Sequence, residues 1–383
     1  MKINIIGGGP AGLYFAILMK KLHPVDDITI LERDGPNDTF GWGIVFSDRT
    51  FSYLRDSDYE SFVDITNSCE IWDKVEVVHR NQKVSIGGNR FSGIARLRFL
   101  NILHKRCLDL GVDLRFNTNV TDVAGLAEQS DLLVGADGAN SLVRRTYTEF
   151  FQPSLDERKN KYLWLGTNQL FHGLTLTFRQ ADVGLFITHS YKFNQTTSTF
   201  IVECDETTWL KAGFDRRSDH ETCGYLAEIF KEDLGGHPLL SNNFVRWLNF
   251  VLVKNRHWHH KNIVLLGDAL HTAHFSIGSG TKLALEDSIA LAKCFEVHPG
   301  VHDALKEFER VRKPIVEEIQ AAAYSSLVWL ENIKDETDLD PIPFAYKVMT
   351  RSERVNYERL KKRDPQFIAA YDRWQQTHAP TGS

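Results

Sequence analysis

The chain has 383 residues, of which 42% are hydrophobic and 25% charged, and its formal net charge is -5. That length suggests two or three structural units with ample chain for a core. The mild negative balance excludes a global basic field for nucleic acid or an acidic membrane surface. The five cysteines (Cys69, Cys107, Cys204, Cys223 and Cys294) are scattered, odd in number and without CxxC or zinc spacing. Free thiols in a reducing cytoplasm and no metal site are therefore expected. The N-terminus has no signal-peptide pattern, and no apolar run reaches membrane-spanning length.

The first 33 residues read as strand, glycine turn, helix, strand and acid. Ile3 to Ile6 runs into Gly7-Gly8-Gly9, a helix opens near Pro10 and Ala11, and Ile28 to Leu31 ends on Glu32-Arg33. Gly7 and Gly9 permit a tight turn that lets the backbone approach a pyrophosphate, and Gly12 lets the helix pack close to the sheet. The helix N-terminus offers free N–H groups and a partial positive charge. Glu32, about twenty residues past Gly12, is spaced to accept hydrogen bonds from a ribose diol. A lone GxGxxG is weak; strand, helix and acid together point to a dinucleotide.

Thr39 to Asp48 (TFGWGIVFSD) reads as a tight loop around Trp42, either packed or lying against a flat ring. Short strands with a turn at Gly87-Gly88 occupy 75–95. A helix then runs from about Arg96 to Leu110, striped by Leu97, Leu100, Leu103, Cys107 and Leu110. Arg96 and Arg98 at its start oppose the helix dipole unless an anion is near. Asp131 to Arg145 (DLLVGADGANSLVRR) is a strand running into Asp137-Gly138 and a helix near Ser141; Asp137 is a ligand-edge acid or a helix cap.

From Tyr162 to Asp205 the period becomes two, which predicts a new sheet. In its middle strand Leu185, Ile187, His189 and Tyr191 share a face, so His189 and Tyr191 either line a pocket or are bonded within the sheet core. Ser218 and Glu221 predict a capping box on a helix that ends at Gly235-Gly236. Phe244 to Val253 returns to strand. Ile263 to Phe295 sets Asp268 at a strand end, then Gly278-Ser279-Gly280 opening a long helix. His302 to Asn332 carries a helical stripe interrupted by Pro314, and Thr350 to Lys362 reads as one basic helix. The last five residues are expected to be disordered. The expected division is a discontinuous nucleotide-binding domain (1–74, 95–150, 255–300), a β-sheet domain (75–94, 151–254) and a C-terminal helical region (301–383).

Three motifs stand in order: GGGPAG with Glu32, then DLLVGADGANSLVRR, then LLGDALHTAHFSIGSG. Together they resemble the single-component, FAD-dependent aromatic hydroxylases of the para-hydroxybenzoate hydroxylase type. The segments GWGIVFSD, YLWLGTNQLF, STFIVEC, HFSIGSGTKLALEDSIALA and RSERVNYERLKKRDPQF are similar to a narrower branch. That branch holds the flavin monooxygenase part of salicylyl-CoA 5-hydroxylases and 2-aminobenzoyl-CoA monooxygenases, with the violacein-pathway tryptophan hydroxylase close by. Two departures from the wider family, Phe275-Ser276 in place of a proline and Lys282 in place of an asparagine, occur in the same branch.

The resemblance implies an α/β fold, a Rossmann-like FAD-binding domain with an inserted antiparallel β-sheet substrate domain and C-terminal helices. It implies tightly but non-covalently bound FAD, held by Gly7, Gly9, Pro10, Ala11, Gly12, Glu32 and Arg33, by Arg96, by Asp137 and Gly138, and by Asp268, Gly278 and Gly280. It implies transient NADH or NADPH and dioxygen, with oxygen delivered from a flavin C4a-hydroperoxide to a phenol or aniline ring. Trp42 and Phe275 are then candidates to touch the substrate, and His189 or Tyr191 to hydrogen-bond its ring substituent as catalytic groups. A CoA thioester needs cations at the pocket mouth: the basic helix with Arg354 and Lys361 first, Arg216-Arg217 second. A monomer or homodimer is expected. The rival readings are a hydroxylase of a free aromatic or indole intermediate, a flavin-dependent reductase or dehydrogenase on the same fold, and a flavin-binding regulator.

Overall fold

The computed structural model describes residues 1–39, 41–241 and 246–378. Its first sheet has the strand order His259–His260, Ile263–Leu265, Leu132–Gly135, Lys2–Ile6, Asp27–Leu31, Asp113–Arg115. All neighbours are parallel except the two-residue edge strand. Lys2–Ile6 is central, as its apolar run requires, because a parallel strand covered on both faces has no polar side. The helix Pro10–Leu22 buries nine consecutive residues, Ala11 to Met19. Its partner is the helix Gly280–Val297, where the Ser288 hydroxyl donates to the Ala11 carbonyl at 2.8 Å.

The second sheet has eight strands, in the path Leu239–Leu240, Pro153–Thr167, Ser198–Cys204, Gly184–Lys192, Leu174–Ala181, Val75–His79, Gln82–Ile86, with Leu248–Asn255 also on Pro153–Thr167. It is antiparallel apart from one parallel pair, Leu174–Ala181 with Val75–His79. Alternation divides its faces. Leu163, Leu165, Phe186, Phe200 and Val202 pack under the helices of 206–234. The opposite face carries Leu176, Phe178, Leu185 and Ile187 against the C-terminal helices. A third, three-stranded sheet joins Gly43–Ser47, Phe91–Ala95 and Glu70–Trp72. What reads as a loop after Trp42 is thus a strand, and Trp42 immediately precedes it.

The capping box at Ser218 and Glu221 forms on the helix Asp219–Ile229, which breaks at Phe230, and Gly235 takes the left-handed conformation at the end of the short helix Lys231–Leu234 that follows. Two helix expectations need correction. Val301–Glu331 is a single helix through Pro314. A proline there costs about 3 kcal/mol. The buried face of Leu305, Phe308, Val316 and Ile319 offsets it, at roughly 1.5–3 kcal/mol for each large side chain. Thr350 to Lys362 is not one helix. Pro341–Thr350 ends, the chain turns through 351–356 with Glu353 at φ 60°, and Tyr357–Arg363 restarts on the Asn356 cap. The strand expected over Phe244–Val253 begins in residues outside the described set; the observed strand is Leu248–Asn255. The tail expectation also lies outside the described residues.

Candidate active site

The glycine corner is built for close backbone approach. Gly7 sits at φ 107°, and a Cβ there would lie 2.3 Å from the Ala136 carbonyl oxygen of the neighbouring strand end. A Cβ on Gly12 would lie 2.3 Å from the Gly7 carbonyl oxygen, so helix and turn are in direct contact. By contrast, a Cβ on Gly9 would meet nothing within 4 Å. The helix behind it has Gly9 as N-cap with no side-chain cap, and Pro10 in its first turn. Its free N–H groups therefore look outward, the arrangement that takes a phosphate. Glu32 accepts from Gly8 N–H at 2.6 Å and from Asp34 N–H at 2.9 Å. It braces the turn before it meets any ribose. Arg33 is largely exposed and reaches Asp34 at 3.4 Å.

Asp137 splits its carboxylate. Oδ2 accepts from Leu142 and Val143 N–H at 2.6 and 3.2 Å, while Oδ1 is buried without a partner. The helix-cap reading holds for one oxygen, and the other is left for a ligand. Gly138 beside it is at φ 79° with open space around its α-carbon.

Asp268 follows the strand Ile263–Leu265 and is ringed closely by protein, though its side chain stays open to a cleft. Burial raises its carboxyl above the ordinary value against the opposing charges of Arg96 and His271. Burial likewise lowers the Arg96 guanidinium, against Asp268 and Tyr191, and Arg96 Nε has no partner. A cation with an unpartnered Nε and the carboxylate that opposes it thus share a cleft. In front of it the helix Gly280–Val297 starts without a side-chain cap, and Gly278 and Gly280 have open space. Lys282, in that helix's first turn, is held at 3.3 Å by Glu286, which Arg312 also contacts at 3.0 Å.

The opposite wall is the second sheet. Tyr162 feels the charge of Asp268, and burial pushes its phenol up to about 12. Its ring lies 4.9 Å from Phe275, which meets His189 edge-on at 5.3 Å. His189 Nε2 is 3.3 Å from Glu203 Oε2, and Asn160 donates to Glu203 Oε1 at 2.8 Å. Burial alone would raise the Glu203 carboxyl; the hydrogen bonds from His189 and Asn160 help hold it below its usual value. His274 is pushed down to about 4 by burial and is neutral at ordinary pH. Tyr191 is spent differently. Its hydroxyl donates to the Gly43 carbonyl at 2.8 Å and its ring stacks on Trp72, so it anchors the strand after Trp42. Trp42 covers Gly166, where a Cβ would lie 2.8 Å from the indole.

The predicted cations separate. Arg351 turns inward, donating to Ser326 Oγ at 2.9 Å and to the Ser276 carbonyl at 2.6 Å, beside the Phe275 wall. Arg354 and Lys361 are exposed, Lys361 over the Tyr357 ring. Arg217 lies over Tyr225 on the helices covering the far face of the sheet, away from His189. Sequence reasoning missed Tyr162, Glu203 and His274, and placed Arg351 in a basic helix offered to CoA phosphates rather than in the Phe275 wall. Glu203 did carry a signal: it is an acid at an inward position of the apolar strand Ser198–Cys204.

An FAD fits these residues: an uncapped helix start behind a glycine turn, an orphaned Asp137 oxygen, and Arg96 facing Asp268. A family described as an FAD binding domain matches residues 1–323, and the chain belongs to the FAD-dependent aromatic monooxygenases. It is 38% identical to a salicyloyl-CoA 5-hydroxylase of a Streptomyces species, over all of this chain and 75% of the relative. It is 35% identical to the protodeoxyviolaceinate monooxygenase of Chromobacterium violaceum, over 93% of this chain and 95% of that one. It is also 35% identical to a 3-hydroxy-4-methyl-anthranilyl-[aryl-carrier protein] 5-monooxygenase of Streptosporangium sibiricum, over 88% and 90%. Among solved structures, the tetrameric form of 2-methyl-3-hydroxypyridine-5-carboxylic acid oxygenase has the same fold, with TM-score 0.70, 19% identity, and coverage of 92% of this chain and 98% of that one. The family and fold class expected from the three motifs are borne out. No helix among the described residues is long and apolar enough to cross a membrane.

Proposed function

We propose that the protein is a single-component hydroxylase that uses NADH or NADPH and dioxygen to put one oxygen atom on an electron-rich ring, acting on an aryl-CoA thioester such as salicyloyl-CoA at its 5-position. The observation that carries this is the junction at Phe275. There the flavin-side pair Asp268 and Arg96 borders an aromatic wall holding Tyr162 and His189. The 38% identity to a salicyloyl-CoA 5-hydroxylase favours the substrate. The 35% identity to protodeoxyviolaceinate monooxygenase favours a second reading, a free indole-derived intermediate.

Bound FAD supplies reduction by the nicotinamide and activation of dioxygen. Gly7, Gly9, Pro10, Ala11 and Gly12 would hold its pyrophosphate, Glu32 and Arg33 would serve its adenosine end, and Arg96, Asp137, Gly138 and Asp268 would hold the rest. The uncapped helix start after Gly278 and Gly280 favours negative charge on the reduced ring. Phe275 and Trp42 exclude water and set the plane of the substrate ring. His189 accepts a hydrogen bond from the ring substituent. Arg354 and Lys361, exposed beyond Arg351, meet the CoA phosphates.

The test is NAD(P)H oxidation by FAD-loaded protein with salicyloyl-CoA, 2-aminobenzoyl-CoA, their free acids and tryptophan derivatives, with product mass read in labelled dioxygen. A ring product carrying one labelled oxygen from salicyloyl-CoA is expected. Reduction without label would make the protein a reductase, and turnover of only the tryptophan derivatives would move the substrate to the second reading.

A further inference from the structure

His189 and Glu203 are diagonal neighbours on one face of adjacent antiparallel strands: His189 pairs with Ile201, two residues before Glu203. Both side chains are buried, Glu203 to 1% exposure. An ionised carboxylate only accepts hydrogen bonds, so Nε2 carries the proton and Nδ1 keeps its lone pair. Glu203 cannot turn away, because Asn160 holds its other oxygen at 2.8 Å. Nδ1 of His189 has no hydrogen bond among the described residues and is not one of the sealed, unpartnered polar atoms. The His189 ring meets Phe275 edge-on at 5.3 Å, and Phe275 lies 4.9 Å from the Tyr162 ring, which feels the charge of Asp268.

We infer that Glu203 is a positioning residue that fixes His189 as the base for a phenolic substrate, with Nδ1 taking the ring hydroxyl's proton. This rests on the aromatic-hydroxylase reading above. In that step the phenolic O–H bond breaks, an Nδ1–H bond forms, and the electron pair stays on oxygen. The positive charge gained by the imidazole is matched by the Glu203 carboxylate. The phenolate donates its electrons into the ring, which is what an electrophilic oxygen transfer needs.

The other charged and titratable groups around the pair do not replace it. His274 and Arg351 come from the segments across the sheet face, and Arg158 from the Pro153–Thr167 strand. Arg158 is committed to Asp156 and Glu331, each at 2.6 Å. Arg351 is committed to Ser326 and Ser276. His274 Nδ1 is taken by Ser276 Oγ at 2.9 Å, and its ring stays neutral. Of these groups, His189 alone has both a carboxylate behind it and a free nitrogen in front.

The experiment uses FAD-loaded full-length protein and 4-nitrophenol, whose phenolate absorbs in the visible. Wild type is expected to bind it as phenolate at a pH where the free probe is neutral. In Glu203→Gln the bound probe is expected to ionise about one pH unit higher, roughly a tenfold weaker proton acceptor, with FAD content unchanged. Glu203→Asp is expected to recover part of the shift. In turnover, the acid limb of the kcat profile with salicyloyl-CoA moves up in Glu203→Gln, while 2-aminobenzoyl-CoA, which has no hydroxyl proton to lose, keeps its profile. An unchanged phenolate band in Glu203→Gln overturns the assignment. So do equal losses with both substrates, which would make Glu203 merely structural. If wild type fails to oxidise NAD(P)H with salicyloyl-CoA, the substrate reading fails alone, because the nitrophenol titration reads the pair without turnover.

Discussion

Arg312 Nε lies 2.8 Å from Asp287 Oδ1 in the protein interior, joining the helix Val301–Glu331 to the helix Gly280–Val297. His271 contacts the other Asp287 oxygen at 2.8 Å, and Asp287 is fully buried. Removing one partner of such a pair strands a charge. Arg312→Leu is expected to cost about 3–5 kcal/mol of unfolding free energy, read by urea denaturation followed through tryptophan fluorescence. A loss below 1 kcal/mol would mean that His271 alone neutralises the carboxylate.

The same network sets a pH dependence. Burial alone would raise Asp287, but the charges of His271 and Arg312 win and hold it below its ordinary value. A lowered carboxylate contributes stability above its unfolded pKa and loses it as pH falls through the folded one. The unfolding temperature is therefore expected to drop on acidification below the usual carboxylate range, and Asp287→Asn is expected to flatten that drop. Parallel curves for the two proteins would refute it.

Asp268 has the opposite sign. Burial raises it, so its contribution to stability is present at low pH and is lost as pH rises through the folded pKa. At neutral pH Asp268→Asn is expected to raise the apoprotein's melting temperature while weakening FAD binding. A variant that melts lower and binds FAD normally would contradict both halves.

Gly7 and Gly9 are expected to fail in different ways. A Cβ on Gly7 strikes backbone, whereas one on Gly9 finds open space. Gly7→Ala should impair folding itself. Gly9→Val should fold, with an unchanged circular-dichroism spectrum, yet bind FAD roughly ten- to a hundredfold more weakly, the effect of about 1–3 kcal/mol of steric misfit. Flavin absorbance of the purified variants decides this.

The two aromatic-wall candidates should separate as well. Tyr191→Phe loses one hydrogen bond to Gly43, worth about 1 kcal/mol of stability, and should keep its hydroxylation rate. His189→Ala should lose rate with phenolic substrates and, by stranding the buried Glu203 carboxylate, should cost more stability than Tyr191→Phe. Equal rates in the two variants would remove His189 from the chemistry.

Among the exposed cations, Arg354→Glu and Lys361→Glu are expected to raise KM for an aryl-CoA in a manner that weakens with salt, without changing FAD content. Equal binding in both variants would leave the CoA phosphates without these partners.

The nucleotide-binding half was readable in advance because its chemistry is backbone chemistry. Glycines, a strand end and an acid at fixed spacing leave a trace in sequence whatever surrounds them. The sheet wall was less readable. Period two put His189 and Tyr191 on one face, but whether a side chain faces a cleft or a neighbouring carbonyl depends on the strand Gly43–Ser47, contributed from far away in the chain. Arg351 was misread for a similar reason. The basic run looks helical in isolation, yet Asn356 offers a better N-cap than a continued helix, and the turn before it swings Arg351 inward. Pro314 was misread because tertiary burial outweighed a local penalty.

The 31-residue helix Val301–Glu331 is roughly 46 Å long at 1.5 Å per residue. Near its start Phe308 and Arg312 grip the nucleotide-binding half, and at its end Glu331 holds Arg158 and the Lys159 backbone of the large sheet. A strut pinned at both ends resists any clamshell motion of the two halves. Entry and exit of a bulky substrate would then depend on local rearrangement of short segments such as the 351–356 turn, and turnover would be gated there while the frame stays rigid.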